Sequence, residues 1–127
     1  MIIAVFRRRL KERASFEDFI SAWEADEGFG VPARVFNAVS LDDPRDILSI
    51  GFVDIDAAAL GDAVGNVAGQ EAVRHSRIDE VIDSTVLRSF FDLRTEHDLS
   101  GDPREIGLAS TESLLSSLHT QAPGSGP

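Results

Sequence analysis

Apolar and polar positions along the chain fall into four extended blocks and two helical ones. Met1-Ile2-Ile3-Ala4-Val5-Phe6 opens as a strand and runs directly into Arg7-Arg8-Arg9. Phe16, Phe19, Ile20 and Trp23 then sit at i, i+3, i+4 and i+7, the spacing of one buried helical face. Ser15 stands at the N-cap position, Glu17 and Asp18 suit the first-turn dipole, and Gly28-Phe29-Gly30 with Pro32 stops the helix. Glu24, Asp26 and Glu27 put carboxylates where the macrodipole prefers cations. That end is either a solvated acidic terminus or one met by a nearby arginine or ligand cation.

Stretches 34–41 and 47–55 are rich in β-branched and aromatic residues, and Asp42-Asp43-Pro44-Arg45-Asp46 between them is a turn signal, which predicts a hairpin. Asp56 is placed to cap a second helix from Ala57, with Leu60, Val64, Val67 or Ala68, and Ala72 on its apolar face. An irregular acidic stretch over 78–85 and a long last strand from Val86 to about His97 complete the order. The order β-α-β-β-α-β predicts an α+β, ferredoxin-like fold: a four-stranded antiparallel sheet with both helices on one face.

If the other face met water, the strands would alternate between apolar and polar residues. They do not: Ile2, Ile3, Val5 and Phe6 occupy both faces, and Leu48, Ile50 and Phe52 oppose Ile47, Val53 and Ile55. Such an uncovered apolar face predicts a second copy packed on it as a closed homodimer. In the last strand Val86, Arg88, Phe90, Asp92 and Arg94 face one way and Leu87, Ser89, Phe91 and Leu93 the other. The charged row is thereby placed to pair with a symmetry mate.

Length and composition narrow the picture. The 127 residues make one core, with 43% apolar and 27% charged residues. Residues 1–99 form the expected domain and 100–127 a C-terminal extension, with Gly101-Asp102-Pro103 as the boundary. Leu114, Leu115 and Leu118 have the spacing of a short docked helix before a loose Ser-, Gly- and Pro-rich tail. No apolar run approaches the roughly 18 residues of a membrane span. A formal net charge of −10 argues against nucleic acid or an anionic membrane as partner. There is no cysteine, hence no disulfide and no thiolate ligand. Basic residues follow the first apolar stretch, the reverse of a secretory signal, so a cytoplasmic location is expected.

Few residues carry candidate chemistry. His75 closes the apolar series of the second helix, either as a general base or as a structural histidine near the helix end. Arg74 and Arg77 beside it are either anion ligands or solvated helix-end charges. Gly61, Gly65 and Gly69 form a bare stripe at i, i+4 and i+8, suited to tight packing or to the wall of a ligand cavity. Trp23 and Phe29, with Phe16 and Phe19, either line an apolar pocket or belong to the core. Consecutive arginines on a strand alternate faces, so Arg8 or its neighbours are expected to be partly buried and paired with acids. His75, His97 and His119 lack metal-ligand spacing, and no phosphate loop is present, so no metal and no cofactor is expected.

The opening strand, the element order, the two-faced apolar strands and the long last strand resemble the dimeric α/β-barrel superfamily over residues 1–99, in particular its antibiotic-biosynthesis-monooxygenase-like branches. The resemblance implies two sheets paired into a barrel, with a small-molecule pocket between sheet and helices of each subunit. It implies either a cofactor-independent monooxygenase or related enzyme acting on a small organic metabolite, or a non-catalytic binding or accessory protein. The haem-degrading branch uses a strand asparagine with a tryptophan and a histidine from the second helix. Here Asn37 and His75 match two of these, but Trp23 lies on the first helix, which argues against haem degradation. Tyrosine, which positions phenolic substrates in some members, is absent.

Overall fold

A computed structural model describes residues 1–24 and 27–107 of the chain. Strand β1 (Ile2–Leu10) leads to helix α1 (Phe16–Trp23), then strands β2 (Ala33–Val39) and β3 (Asp46–Val53). A 3-10 turn at Ala57–Ala59 enters helix α2 (Leu60–Asp79), followed by β4 (Ile82–Asp92), β5 (Glu96–Asp98) and β6 (Arg104–Ile106). The first four strands form one antiparallel sheet in the order β2-β3-β1-β4. This α+β architecture is compatible with the ferredoxin-like plan.

Local chemistry explains the elements. The Ser15 hydroxyl accepts from the Asp18 amide, and the Asp18 carboxylate accepts from the Ser15 amide, a complete capping box for α1. In the turn between β2 and β3 the Asp43 carboxylate accepts from the Arg45 amide, as the acidic turn signal predicts. Asp56 precedes the 3-10 turn without a side-chain capping bond, so it does not cap α2.

The end of α2 departs from the predicted irregular stretch over 78–85. The helix continues to Asp79, because Ile78 is 1% exposed in the core, and β4 begins already at Ile82, another core residue. Glu80 and Val81 suffice for the connection, held where the Lys11 amide donates to the Val81 carbonyl. The last strand also ends earlier than His97. Among the described residues its one partner is β1, whose start pairs Ile2 with Asp92, and Leu93 makes the final tie to the Met1 carbonyl. Beyond it β5 pairs with β6, His97 opposite Glu105, so Gly101-Asp102-Pro103 lies within a hairpin connection and pairing continues to Ile106. Asp26, Leu114, Leu115, Leu118 and the tail lie outside the described residues.

Register assigns the sheet faces. Ile2, Ala4, Phe6, Arg8 and Leu10 of β1 share a face with Val53, Gly51, Ser49 and Ile47 of β3. At the α1 end of this face Leu10, Phe19, Ile47, Ile78 and Ile82 make the buried core. The opposite face carries Ile3, Val5, Leu48, Ile50 and Phe52, with Phe36 of β2 and Leu87 and Phe91 of β4 beside them. It is apolar and uncovered: Phe36, Leu87 and Phe91 are 45%, 41% and 49% exposed. Arg7 pairs with Asp46 at 2.8 Å and Arg9 with Asp43 at 2.7 Å at the end of that face, whereas Arg8 is buried on the other, as strand alternation predicts.

Phe19 is fully buried where α1 meets the sheet. Phe19→Ala is expected to lower the unfolding free energy in a urea titration by about 3–5 kcal/mol. A loss below about 1 kcal/mol would contradict a core centred there.

Candidate functional site

The core occupies only one end of the helix-covered face. Toward the other end α2 spans the sheet without filling the space beneath it, and of its residues only Arg74 and Ile78 are buried. A cavity of about 370 Å³ remains between the helices and β1, β3 and β4. Its floor is Ala4 and Phe6 of β1 with Val35, Gly51 and Val53. Its roof is Leu60, Val64, Val67 and Ala68 of α2, and Trp23, Phe29 and Val31 close one side. Gly51 keeps the floor low. A Cβ there would stand 3.6 Å from Ala4 Cβ and 3.5 Å from a Val35 methyl, an ordinary contact that occupies space between sheet and roof. Val64 and Phe90 line the cavity yet are 40% and 37% exposed, which puts its mouth between α2 and the edge strand β4.

The polar groups gather at the end nearest the core: Arg8, Glu71, Arg74, His75 and Arg88, with Ser49. Arg8 is 4% exposed, and its one hydrogen bond among the described residues is a long one, 3.4 Å, donated to the Ser49 hydroxyl, which in turn donates to Asn37 Oδ1 at 2.6 Å. Its guanidinium lies over Phe6, 4.7 Å from the ring centroid, and within 5.7 Å of Phe19. Loss of hydration pushes the Arg8 pKa down to about 10, with Arg74 and Arg88 adding repulsion that Asp79 and Glu71 only partly offset.

Arg74 has a structural task. It donates to Glu71 and to the Trp23 carbonyl, and stacks over the Trp23 ring at 4.8 Å. Arg77 donates to the Glu24 carbonyl at 2.9 Å. These two arginines therefore meet the end of α1 through its unpaired carbonyls, supplying the cations that its own last turn lacks. His75 packs edge-on against Phe6, ring centroids 6.1 Å apart, and its Nε2 lies 3.2 Å from Glu71 Oε2 but off the hydrogen-bond direction. Burial holds the His75 pKa below its ordinary value; Glu71 pulls it up, and the three arginines push it down. The imidazole is thus neutral at pH 7 and able to accept a proton.

Of the candidate site residues singled out from sequence, Trp23, Phe29, Arg74 and His75 line this one cavity. Asn37 stands behind Ser49 rather than in the wall. Gly61, Gly65 and Gly69 do not form a wall: they are exposed, and a Cβ at any of them would meet nothing within 4 Å. The reason is helical rotation, since each follows a cavity-lining row, Leu60, Val64 and Ala68, by one residue and so by about 100°. Of the charged row of β4, Arg88 and Phe90 face the cavity on the helix-covered side of the sheet, because Arg88 pairs with Phe6 and Phe90 with Ala4.

Arg8, Glu71 and Arg88 complete the site without having been singled out as site residues. Strand parity carried the signal for Arg8 and Arg88, and the i, i+4 spacing to His75 carried it for Glu71. Among the described residues no group of three or more His, Asp or Glu is placed to hold a metal ion, and no helix is long and apolar enough to cross a membrane. Comparison of the chain with protein-family models, curated proteins and solved structures returned no match.

As pH falls through 6.5, the ordinary value for histidine, the unfolded chain takes up a proton at His75 that the folded chain binds less readily, so stability is lost on the acid side and regained above it. An NMR titration of the His75 ring is expected to give a midpoint below 6.5, lowered further by Glu71→Gln, which removes the one attraction that raises it. A midpoint at or above 6.5 would contradict a desolvated imidazole in the cavity.

Proposed function

We propose that the chain is a homodimeric α/β-barrel protein that binds a small organic metabolite in the cavity between α2 and the sheet. The observation that carries this reading is the cavity itself: about 370 Å³, apolar over most of its wall, with convergent polar groups at one end. A protein interior closes over space of this size unless something occupies it, because each unfilled volume forfeits contacts. The dimer is supported by the uncovered apolar face, where Phe36 and Phe52 meet edge-on with ring centroids 6.1 Å apart and offer aromatic surface to a second copy.

The neutral His75 imidazole at the cavity wall favours an enzyme of the cofactor-independent monooxygenase type. In such a reaction the substrate supplies all four electrons that reduce O2. A methylene loses two hydrogens, one oxygen atom of O2 becomes its carbonyl oxygen, and the other leaves as water. His75 takes the first proton from the bound molecule. In the alternative reading the protein binds the same ligand as a non-catalytic accessory protein, and the His75–Glu71 pair is structural.

Native mass spectrometry of the full chain mixed with small aromatic compounds tests the proposal. The expected species has twice the chain mass and carries up to two ligands. Ala68→Phe, which fills the cavity from α2, is expected to keep the dimer and lose the ligand. A bare single chain with every compound would contradict both parts, and a monomer carrying ligand would remove the dimer alone. His75→Ala separates the two readings: an enzyme loses turnover of the bound compound, whereas a binding protein shows none in either form.

A further inference from the structure

We infer that the metabolite is an organic anion, a carboxylate with an apolar body, whose charged end is held by Arg8 and Arg88. This rests on the reading of the cavity as a ligand site and names the class of ligand it takes. Both guanidiniums lie over the same ring, Phe6, at 4.7 Å and 5.6 Å from its centroid. Neither has a carboxylate partner among the described residues, and Arg8 makes only the long bond to Ser49. The one acid among the described residues of the cavity wall, Glu71, is paired with Arg74 through Oε2, while its Oε1 is buried without a hydrogen-bond partner and its charge offsets Arg8 only in part. Two guanidiniums without an ion-pair partner among the described residues, one of them 4% exposed, therefore converge at the polar end of an otherwise apolar cavity, in a chain whose net charge is −10.

Burying a guanidinium without an anion is costly, and the two cations repel each other. A carboxylate between them offsets both terms and makes charge-assisted hydrogen bonds with the donors that no protein group uses. The opposite end of the cavity, with Phe29, Val31, Val35, Val53 and Val67, suits an aliphatic or aromatic body and offers no charged partner. A neutral ligand would leave the two cations unanswered. A cation would be repelled.

The test uses 4-phenylbutanoate and its uncharged isostere 4-phenylbutanamide. It is read by the fluorescence of Trp23, the single tryptophan of the chain and part of the cavity wall. The carboxylate is expected to bind at least about tenfold more tightly than the amide. Arg8→Met and Arg88→Met are each expected to reduce that preference to about twofold. Arg88 is exposed, so Arg88→Met keeps the test open even where Arg8→Met destabilises the fold. Equal binding of the two probes overturns the anion inference and leaves the cavity as a ligand site. Binding of neither overturns both. A preference that survives in both variants overturns the assignment to these arginines.

Discussion

Side chains of a strand alternate between its two faces, and β1, with a neighbour on each side, sets both faces of this sheet. Its even positions run from core to cavity: Leu10 belongs to the core, Arg8, Phe6 and Ala4 line the cavity, and Ile2 is buried at the strand's start. Its odd positions build the opposite surface, with Ile3 and Val5 in the apolar field and Arg7 and Arg9 in ion pairs at its end. A shift of one residue in pairing would bring Arg7 and Arg9 under the helices and strip them of Asp46 and Asp43. Burial of one arginine and exposure of its two neighbours thus fixes the register on which core, cavity and open face depend.

That register leaves a structure with stability concentrated at one end. Phe19, Ile47, Ile78 and Ile82 pack where α1 crosses the sheet, and α2 is pinned there by Ile78 and by the arginines that bind the end of α1. Farther along, α2 arches over open space, held in part by the Gln70 amide donating to the Gly28 carbonyl at 3.2 Å. Poor filling under a long helix costs stability. The same gap brings three arginines, a carboxylate and a neutral histidine within reach of one bound molecule.

Much of this was legible in the sequence, for identifiable reasons. The spacing of Phe16, Phe19, Ile20 and Trp23 marked α1 because nothing interrupts it, and the alternation of the three arginines followed from strand geometry alone. The cavity wall was half legible: the Leu60–Val64–Ala68 row points inward, but the glycine stripe one residue later, suited by sequence to tight packing or a cavity wall, is turned away from it. Where α2 ends and β4 begins was hidden. Asp79, Glu80 and Asp83 look like an acidic loop until Ile78 and Ile82 are seen to share the core. Sequence places Arg88 in a row set to pair with a symmetry mate, because nothing in a single strand says which face the helices cover. That choice is made by the pairing of Phe6 with Arg88 across the sheet.

The space between α2 and the sheet is proposed as a site for an organic anion, and a crystal structure of the full chain with bound 4-phenylbutanoate tests this most directly. The carboxylate is expected within hydrogen-bonding distance of the Arg8 and Arg88 guanidiniums, with the phenyl ring among Val35, Val53 and Val67. The compound seated instead on the open face beside Phe36 and Phe91, with the cavity closed by movement of α2, would contradict it.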